Sequence, residues 1–371
     1  MAWLPILPTL ACVAPRRVAC GGVSRVCARG IVSSAASPKK MVFLGTPSVA
    51  ARSLELILEA SREGRGGGFE LAAVVSQPPT RSGRKMKLTP SPVHLLAERE
   101  GLPLFTPPNA KDDDFLSALE SIRPDVCVTA AYGCFLPQRF LDIPEKGTLN
   151  IHPSLLPLYR GAAPLQRSLE NDDEYGGVTV LFTALKMDAG PILRQQRRAM
   201  RTSEEQAPEL LLSLFEEGSH LLLDALPSVW DGSCAADLVA QDEAAATKAA
   251  KVAKEEAELR LDQMGARAAH ARVRAFAGWP GTWVYVSIGG EPAVRAKIGL
   301  TRAAVDATPA PPARAISREG DALLFTCGDG SVLEVLRITM PGRKPVDATA
   351  FWNGLNGREA CWCAGPTESD A

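Results

Sequence analysis

Three polar residues, Asn150, His152 and Asp188, could together stabilise an oxyanion and move a proton. Asn150 and His152 are two residues apart in a β-type run, so both side chains point to the same side of a strand. Asp188 precedes Ala189 and Gly190, a turn-forming context that would hold a carboxylate at the edge of the sheet. An Asn-x-His pair also occurs at strand ends as a turn cap without catalytic function, and this reading stays open on spacing alone.

A serine hydrolase is a poorer interpretation of the same segment. Ser154 has no Gly-x-Ser-x-Gly elbow around it, and it follows His152 by only two residues, which is badly placed for attack.

The elements that must position these residues alternate between strand and helix. Such alternation predicts a parallel sheet covered on both faces, with ligands bound beyond the carboxyl ends of the strands. Asn150 and His152 lie at one such end. The apolar runs that indicate strands are 41–44, 71–75, 125–131, 147–152 and 178–183, and helical patterns occur at 48–58, 92–99, 115–121, 164–170 and 208–226.

A second and smaller unit follows the alternating region. Residues 255–276 have a helical pattern, and five short alternating runs between 283 and 338 are separated by Gly, Pro and Asp, which predicts a small antiparallel barrel. We therefore divide the chain into a leader at 1–40, a catalytic domain at 41–230, a linker at 231–254, a barrel domain at 255–355 and a tail at 356–371.

The first forty residues contain no Asp or Glu but six Arg or Lys, and their apolar stretch precedes the arginines. This order differs from a secretory signal and is typical of an organellar transit peptide, so we expect a mitochondrial matrix or chloroplast stroma location. An amino-terminal tail without a targeting function is the alternative.

Across the whole chain 41 Lys plus Arg balance 42 Asp plus Glu, which excludes nucleic-acid binding through overall positive charge. The nine Cys show no CxxC ladder and indicate reduced thiols without structural zinc.

Five motifs stand out along the chain. They are FLGTP at 43–47, SQPPTRSGRKMKLTPSPV at 76–93, NIHPSLLPLYRGAAP at 150–164, QDE at 241–243 and RAFAGWPGTW at 274–283. The motif at 150–164 resembles the signature of the formyltransferases that use 10-formyltetrahydrofolate. Together the five motifs resemble the methionyl-tRNA formyltransferase family, of an organellar, plant or bacterial type, from about Met41 to Gly354.

The resemblance implies an α/β fold in which a Rossmann-like formyltransferase domain is followed by a small OB-type β-barrel domain. It also implies formyl transfer from the folate to the α-amine of initiator methionyl-tRNA, for organellar translation initiation. Asn150 and protonated His152 would stabilise the developing oxyanion, and Asp188 would relay the amine proton. We expect a monomer that requires no metal and does not bind a membrane. The segment matched to the folate pocket comprises Ser154, Leu155, Leu156 and Pro157.

Four positive charges with no acid among them fall at Arg81, Arg84, Lys85 and Lys87. On composition alone this run could be a solvated surface loop. The resemblance implies instead that it enters the acceptor end of the tRNA. We also expect basic residues of the barrel domain to follow phosphates, and the candidates are Arg267, Arg272, Arg274, Arg295, Lys297, Arg302, Arg337, Arg343 and Lys344.

Two alternatives of different classes remain. A sugar-amine N-formyltransferase would share Asn150, His152 and Asp188 but would need no basic loop. A non-catalytic RNA-binding protein would tolerate loss of these three residues, which are all present.

Overall fold

The computed structural model describes residues 38–83, 86–200, 205–303 and 314–364. Residues 1–37 of the predicted leader, together with Arg84 and Lys85, lie outside the described residues. In the described part of the chain, no helix has both the length and the apolar character needed to cross a bilayer.

The first domain is built on a seven-stranded sheet in the order β10-β9-β7-β6-β1-β2-β5, with β3 and β4 forming a separate hairpin. The strands of this domain are β1 (Lys39–Gly45), β2 (Phe69–Val75), β3 (Thr80–Ser82), β4 (Lys87–Thr89), β5 (Leu104–Phe105), β6 (Val126–Ala130), β7 (Thr148–His152), β8 (Arg160–Gly161), β9 (Tyr175–Phe182) and β10 (Ile192–Ala199). Its helices are α1 (Ser48–Arg62), α2 (Pro92–Arg99), α3 (Asp113–Ile122), α4 (Gln138–Leu141), α5 (Pro164–Glu170) and α6 (Ala207–Asp231).

Helices cover both faces of this sheet, which explains why its central strands are continuously apolar. In β1, Met41 and Phe43 belong to the core formed with α1 and α6. The intervening Val42 and Leu44 belong to the opposite core, formed with α3 and α4. The predicted Rossmann-like α/β architecture is confirmed.

The prediction of an all-parallel sheet is wrong at one edge. Strands β7, β6, β1, β2 and β5 are parallel, but β9 runs antiparallel to both β7 and β10. The connection from β7 to β9, residues 153–174, contains 22 residues and includes β8 and the seven-residue helix α5. It returns the chain to the carboxyl end of β7, since His152 at the end of β7 pairs with Thr179, and Leu149 pairs with the later Phe182. A strand that re-enters the sheet at this end must run antiparallel to β7.

The second domain is a nearly closed antiparallel barrel, which confirms the predicted small barrel. Its strand order is β14-β15-β16-β13-β12-β18, and a bridge between Ala315 and Cys361 brings the two ends of the sheet together. Alternate residues such as Val284, Val286 and Ala296 point into its core. The remaining elements are β11 (Lys248–Ala249), α7 (Ala266–Phe276), β12 (Thr282–Ile288), β13 (Val294–Ala303), β14 (Ile316–Glu319), β15 (Ala322–Thr326), β16 (Val332–Thr339), β17 (Val346–Asp347), α8 (Ala348–Gly354) and β18 (Ala360–Cys363).

The helix expected at 255–276 is shorter in the structure, because α7 starts only at Ala266. Leu259 and Leu261 are both buried, and this two-residue alternation is typical of extended chain.

Three predicted segment assignments differ from the structure. Lys39 and Lys40, placed in the leader, are the first residues of β1 and pair with β2. The predicted tail at 356–371 contains β18, which pairs with β12 because its apolar residues complete the barrel core. The predicted linker at 231–254 is held against the first domain, since β11 pairs with β8 and Val239 forms a bridge to Ile192.

Candidate active site

A cavity of about 480 Å³ lies beside the ends of β6 and β7 and contains the three predicted catalytic residues in its lining. Asn150 and His152 come from β7, and Asp188 comes from the loop between β9 and β10. The two-residue spacing therefore does place Asn150 and His152 in one cavity. Phe135 and Met187 also line it and are more than half exposed, so an apolar ligand surface could rest on them.

The orientation of the Asn150 amide is set by the neighbouring strand. Thr129 on β6 is in register with Asn150 on β7, and its hydroxyl donates to Asn150 Oδ1 at 2.8 Å. Because the amide oxygen is engaged by this bond, the amide nitrogen is the end that can donate to a ligand. Sequence reasoning missed Thr129, which is 6% exposed.

The two ring nitrogens of His152 have different surroundings. Nε2 lies 3.0 Å from the carbonyl oxygen of Tyr159. A carbonyl oxygen can only accept, so this contact assigns a proton to Nε2. Nδ1 faces Asp188, with 3.7 Å between Nδ1 and Oδ1. Nδ1 is therefore the ring atom that can exchange a proton with a ligand in the cavity.

Asp188 is held by the backbone on the other side of the cavity. Its Oδ2 accepts a hydrogen bond from the Gly161 N–H at 2.9 Å, while Oδ1 faces His152. The residue has a φ of 50°, a left-handed conformation that is uncommon for non-glycine residues and is found at functional sites.

Two hydroxyl groups of the lining were not singled out from the sequence. The Oη atom of Tyr132 and the Oγ1 atom of Thr183 are buried without a hydrogen-bond partner among the described residues. Burial raises the pKa of the Tyr132 phenol, with the Cys134 thiol adding a smaller contribution, so this group stays a neutral donor. Neither oxygen atom is exposed to the cavity, and Tyr132 packs in the core formed with α3 and α4.

Two motifs from other parts of the sequence hold the cavity wall at Tyr132. The Thr46 hydroxyl and the Gln77 amide each donate to the Tyr132 carbonyl oxygen at 2.9 Å. Thr46 belongs to FLGTP, and Gln77 directly precedes the segment that leads into the hairpin of β3 and β4.

The predicted folate segment does not line this cavity in the described residues. The Ser154 hydroxyl donates to the Leu158 carbonyl, and Leu156 packs in a small core with Leu181 and Ile192. These contacts shape the loop after β7, and direct contact of this segment with the folate stays a prediction. Ser154 and Leu155 border only a small separate hollow. The four residues concerned are Ser154, Leu155, Leu156 and Pro157.

The predicted tRNA residues belong to the basic hairpin, residues 80–89. Arg81 on β3 pairs with Leu88 on β4, and both Arg81 and Lys87 are exposed. Neither forms an ion pair with another described residue. The exposed side chains of Met86 and Leu88 accompany these charges, and Arg84 and Lys85 fall between the described strands.

Several basic residues of the second domain are engaged within the protein. Arg274 is only 3% exposed and donates to the carbonyls of Met200 and Glu205. This burial contradicts the expectation that Arg274 follows phosphates. Arg267 pairs with Asp172, Arg272 with Glu170, and Arg302 with Asp321 and Glu334.

Other predicted basic residues remain exposed. Arg295 lies over the rings of Trp283 and Tyr285 at 4.4 and 5.7 Å, and Lys297 is two residues further on the same strand. This arrangement presents charge beside aromatic surface. The exposed set comprises Arg295, Lys297, Arg337, Arg343 and Lys344.

Comparison with known proteins decides the family. The formyl transferase model matches residues 39–226, and the model of the formyl transferase C-terminal domain matches residues 251–356. Methionyl-tRNA formyltransferase from Chromohalobacter salexigens is 38% identical over 86% of this chain and 94% of its own length. The protein of the same name from Parvibaculum lavamentivorans is 37% identical over 85% and 97%. This chain belongs to the methionyl-tRNA formyltransferase family.

A solved structure supports the fold of this family member at low sequence identity. The N-formyltransferase from Helicobacter canadensis, solved with folinic acid and dTDP-3-aminofucose, is 14% identical over 80% of this chain and 98% of its own, with a TM-score of 0.56. The similarity extends over both domains of the architecture described above.

Proposed function

We propose that this chain transfers the formyl group of 10-formyltetrahydrofolate to the α-amino group of initiator methionyl-tRNA. The observation that carries the proposal is the convergence of Asn150, His152 and Asp188 on one cavity in a member of this family. The product, formylmethionyl-tRNA, serves translation initiation.

The cavity suits a folate. Its lining combines apolar surface, such as Phe135 and Met187, with the Asn150 amide nitrogen, which can donate to a ligand. Ligand sites are commonly built in this way, with a mostly apolar wall and a few placed donors. When bound, the folate supplies a formyl group that is already activated on an aniline-like nitrogen, so the protein has to orient the reactants, stabilise charge and move one proton.

Each of the three residues has a task that follows from its contacts. Asn150 donates its amide N–H to the formyl oxygen as negative charge develops there. His152 keeps its Nε2 proton on the Tyr159 carbonyl and presents Nδ1 to the same region. Asp188 accepts the proton that leaves the attacking amine and returns it, through water, to the departing nitrogen. The new bond joins the amine to the formyl carbon, and the bond from that carbon to the folate nitrogen breaks.

The central experiment is a formylation assay with initiator Met-tRNA, a free amino sugar and water as alternative acceptors. We expect transfer to Met-tRNA. Replacement of Asn150, His152 or Asp188 by Ala should lower kcat about 100-fold or more. Circular dichroism and thermal unfolding of each variant control for folding. Preferred formylation of the amino sugar, or near-normal turnover in all three variants, would sink the proposal.

The basic hairpin is proposed to contact the tRNA. Arg81, Arg84, Lys85 and Lys87 would neutralise phosphates, each contributing a slope of about 0.7 to 0.9 in log K against log salt. We expect Arg84→Ala to raise KM for Met-tRNA or lower kcat with little change in the KM for the folate. Arg62→Ala, at an exposed arginine of α1, is the matched control. If KM and kcat for Met-tRNA were unchanged in Arg84→Ala at moderate salt, the proposal that the basic hairpin contacts the tRNA would be wrong.

An organellar location is proposed from the composition of residues 1–40. A fusion of these residues to a fluorescent protein should enter mitochondria or plastids. A control with Arg16, Arg17 and Arg25 replaced by Glu should stay in the cytosol, because transit peptides are poor in acidic residues. A chain starting at Pro38 should fold and formylate Met-tRNA in vitro. A cytosolic wild-type fusion would contradict the targeting proposal without affecting the activity.

A further inference from the structure

We infer that Gln241 is a positioning residue for Asp188, and that the segment 239–249 acts as a strap that fixes the catalytic carboxylate. This inference rests on the proposed function. Gln241 belongs to the QDE motif, for which sequence reasoning gave no role, and it lies in the segment expected to be a linker.

The hydrogen bonds of Gln241 connect the strap directly to the loop that contains Asp188. Its Nε2 donates to the carbonyl oxygen of Asp188 at 2.8 Å and to that of Gly190 at 2.7 Å. Its Oε1 accepts from Arg160 Nε at 3.0 Å and from Nη2 at 2.8 Å. All four bonds have good donor–acceptor distances, so the amide is fixed at both ends.

Arg160 fixes this amide from the first domain. The residue is 8% exposed, and its Nη1 bonds to Glu243 of the same strap. The hydrogen bond from Lys186 is the largest cause that lowers the pKa of the Glu243 carboxyl; burial opposes it, and the bond from Arg160 lowers the pKa further. The next residue after Arg160, Gly161, donates its N–H to Asp188 Oδ2. Asp188 is thus held through its side chain by β8 and through its carbonyl by the strap.

The loop needs this support because its backbone is unusual. Asp188 has a φ of 50°, and such a conformation persists when its surroundings over-determine it. Gly190 is packed so closely that a Cβ there would lie 1.8 Å from the Phe182 carbonyl oxygen. Loss of the two bonds from Gln241 would therefore let the loop relax and would move the carboxylate away from His152.

The experiment measures kcat of Gln241→Met in wild-type and Asp188→Asn backgrounds. Met keeps the length of the side chain and removes both donor and acceptor, and Asn at 188 can still accept from Gly161. We expect a fall of about 10- to 100-fold in the wild-type background, as a small displacement of a catalytic group produces. In the Asp188→Asn background the further fall should be within about 2-fold, because Gln241 acts through the carboxylate. Gln263→Met, at an exposed glutamine, is the control.

Amide hydrogen exchange of residues 183–191 gives a readout independent of activity. We expect faster amide exchange of residues 183–191 in Gln241→Met than in the wild type. In Gln263→Met the exchange rates of these residues should equal those of the wild type. If Gln241→Met does not fold, Gln241→Glu keeps an acceptor for Arg160 and places an oxygen against the two carbonyls, so it should release the same loop. Equal falls in kcat in both backgrounds, or unchanged exchange of the loop, would overturn the inference. An inactive wild-type enzyme would instead contradict the proposed function, while the exchange result still decides the role of Gln241.

Discussion

Thr129 shows at the scale of single residues how one strand orients a proposed catalytic group, Asn150, on the next strand. Thr129→Val keeps the shape of the side chain but removes the hydroxyl that donates to Asn150 Oδ1. One such bond contributes about 0.5 to 1.5 kcal/mol, so we expect kcat for formylation to fall about 3- to 10-fold. Thr129→Ser should retain most of the activity. Equal kcat values for the Val and Ser variants would show that Asn150 is oriented by other contacts.

The meeting of the three residues proposed to be catalytic in one cavity could be predicted from the sequence because their signals are local. Asn150 and His152 share a face through the two-residue period of a strand, and Asp188 stands in a turn context. Thr129 could not be predicted in the same way, since its role depends on which strand lies beside β7 and in which register. The direct folate contacts assigned to 154–157 came from resemblance alone and stay a prediction, while in the structure Leu156 packs with Leu181 and Ile192.

At the scale of elements, the pairing of β8 with β11 depends on a glycine. Gly161 has a φ of 133°, and a Cβ there would lie 2.5 Å from the Ala249 carbonyl oxygen. Gly161→Ala should therefore separate the two strands and displace the N–H that bonds Asp188. We expect a loss of about 1 to 3 kcal/mol in the free energy of unfolding, with a fall in kcat.

Urea unfolding and the formylation assay check this expectation. Gly354→Ala is the control, because a Cβ at Gly354 meets no atom within 4 Å. A Gly161→Ala variant with the stability and kcat of the wild type would mean that the strap does not depend on close approach at this position.

The alternation of strands and helices predicted the layers of the first domain, but not the direction of β9 or the course of 231–254. The 22 residues between β7 and β9 are long enough for a connection of either direction, so their number did not set the direction of β9. The small and charged composition of 231–254 favoured a linker. In the structure its polar side chains, such as Gln241 and Glu243, bond to the first domain instead. Composition cannot distinguish polar residues that face water from those that face a buried arginine.

At the scale of the whole molecule, Arg274 links the two domains. It belongs to α7 of the second domain and donates to the carbonyls of Met200 and Glu205 in the first. Replacement of Arg274 removes both hydrogen bonds from a buried site. We therefore expect Arg274→Met to lower the free energy of unfolding by about 2 to 5 kcal/mol.

Arg343→Met, at an exposed arginine of the same domain, should change stability by less than about 0.5 kcal/mol. The salt dependence of tRNA binding separates the two roles further. Arg274→Met should leave the slope of log K for tRNA binding against log salt unchanged, because a buried guanidinium contacts no phosphate. If the folded Arg274→Met variant showed a reduced slope of log K for tRNA binding against log salt, Arg274 would have to contact the tRNA.

The position of β18 has a consequence for the order in which the two domains are made. The sheet of the first domain is complete at Ala199, and α6 follows at once, so this domain can fold while the rest of the chain is being synthesised. The barrel cannot close until Trp362, 4% exposed in the finished protein, has left the ribosome. A chain released before β18 would carry a finished catalytic domain beside an open edge at β12, which is a template for unwanted strand pairing. Synthesis of β18 therefore closes an exposed strand edge in an enzyme whose proposed catalytic residues, Asn150, His152 and Asp188, are made more than 170 residues earlier.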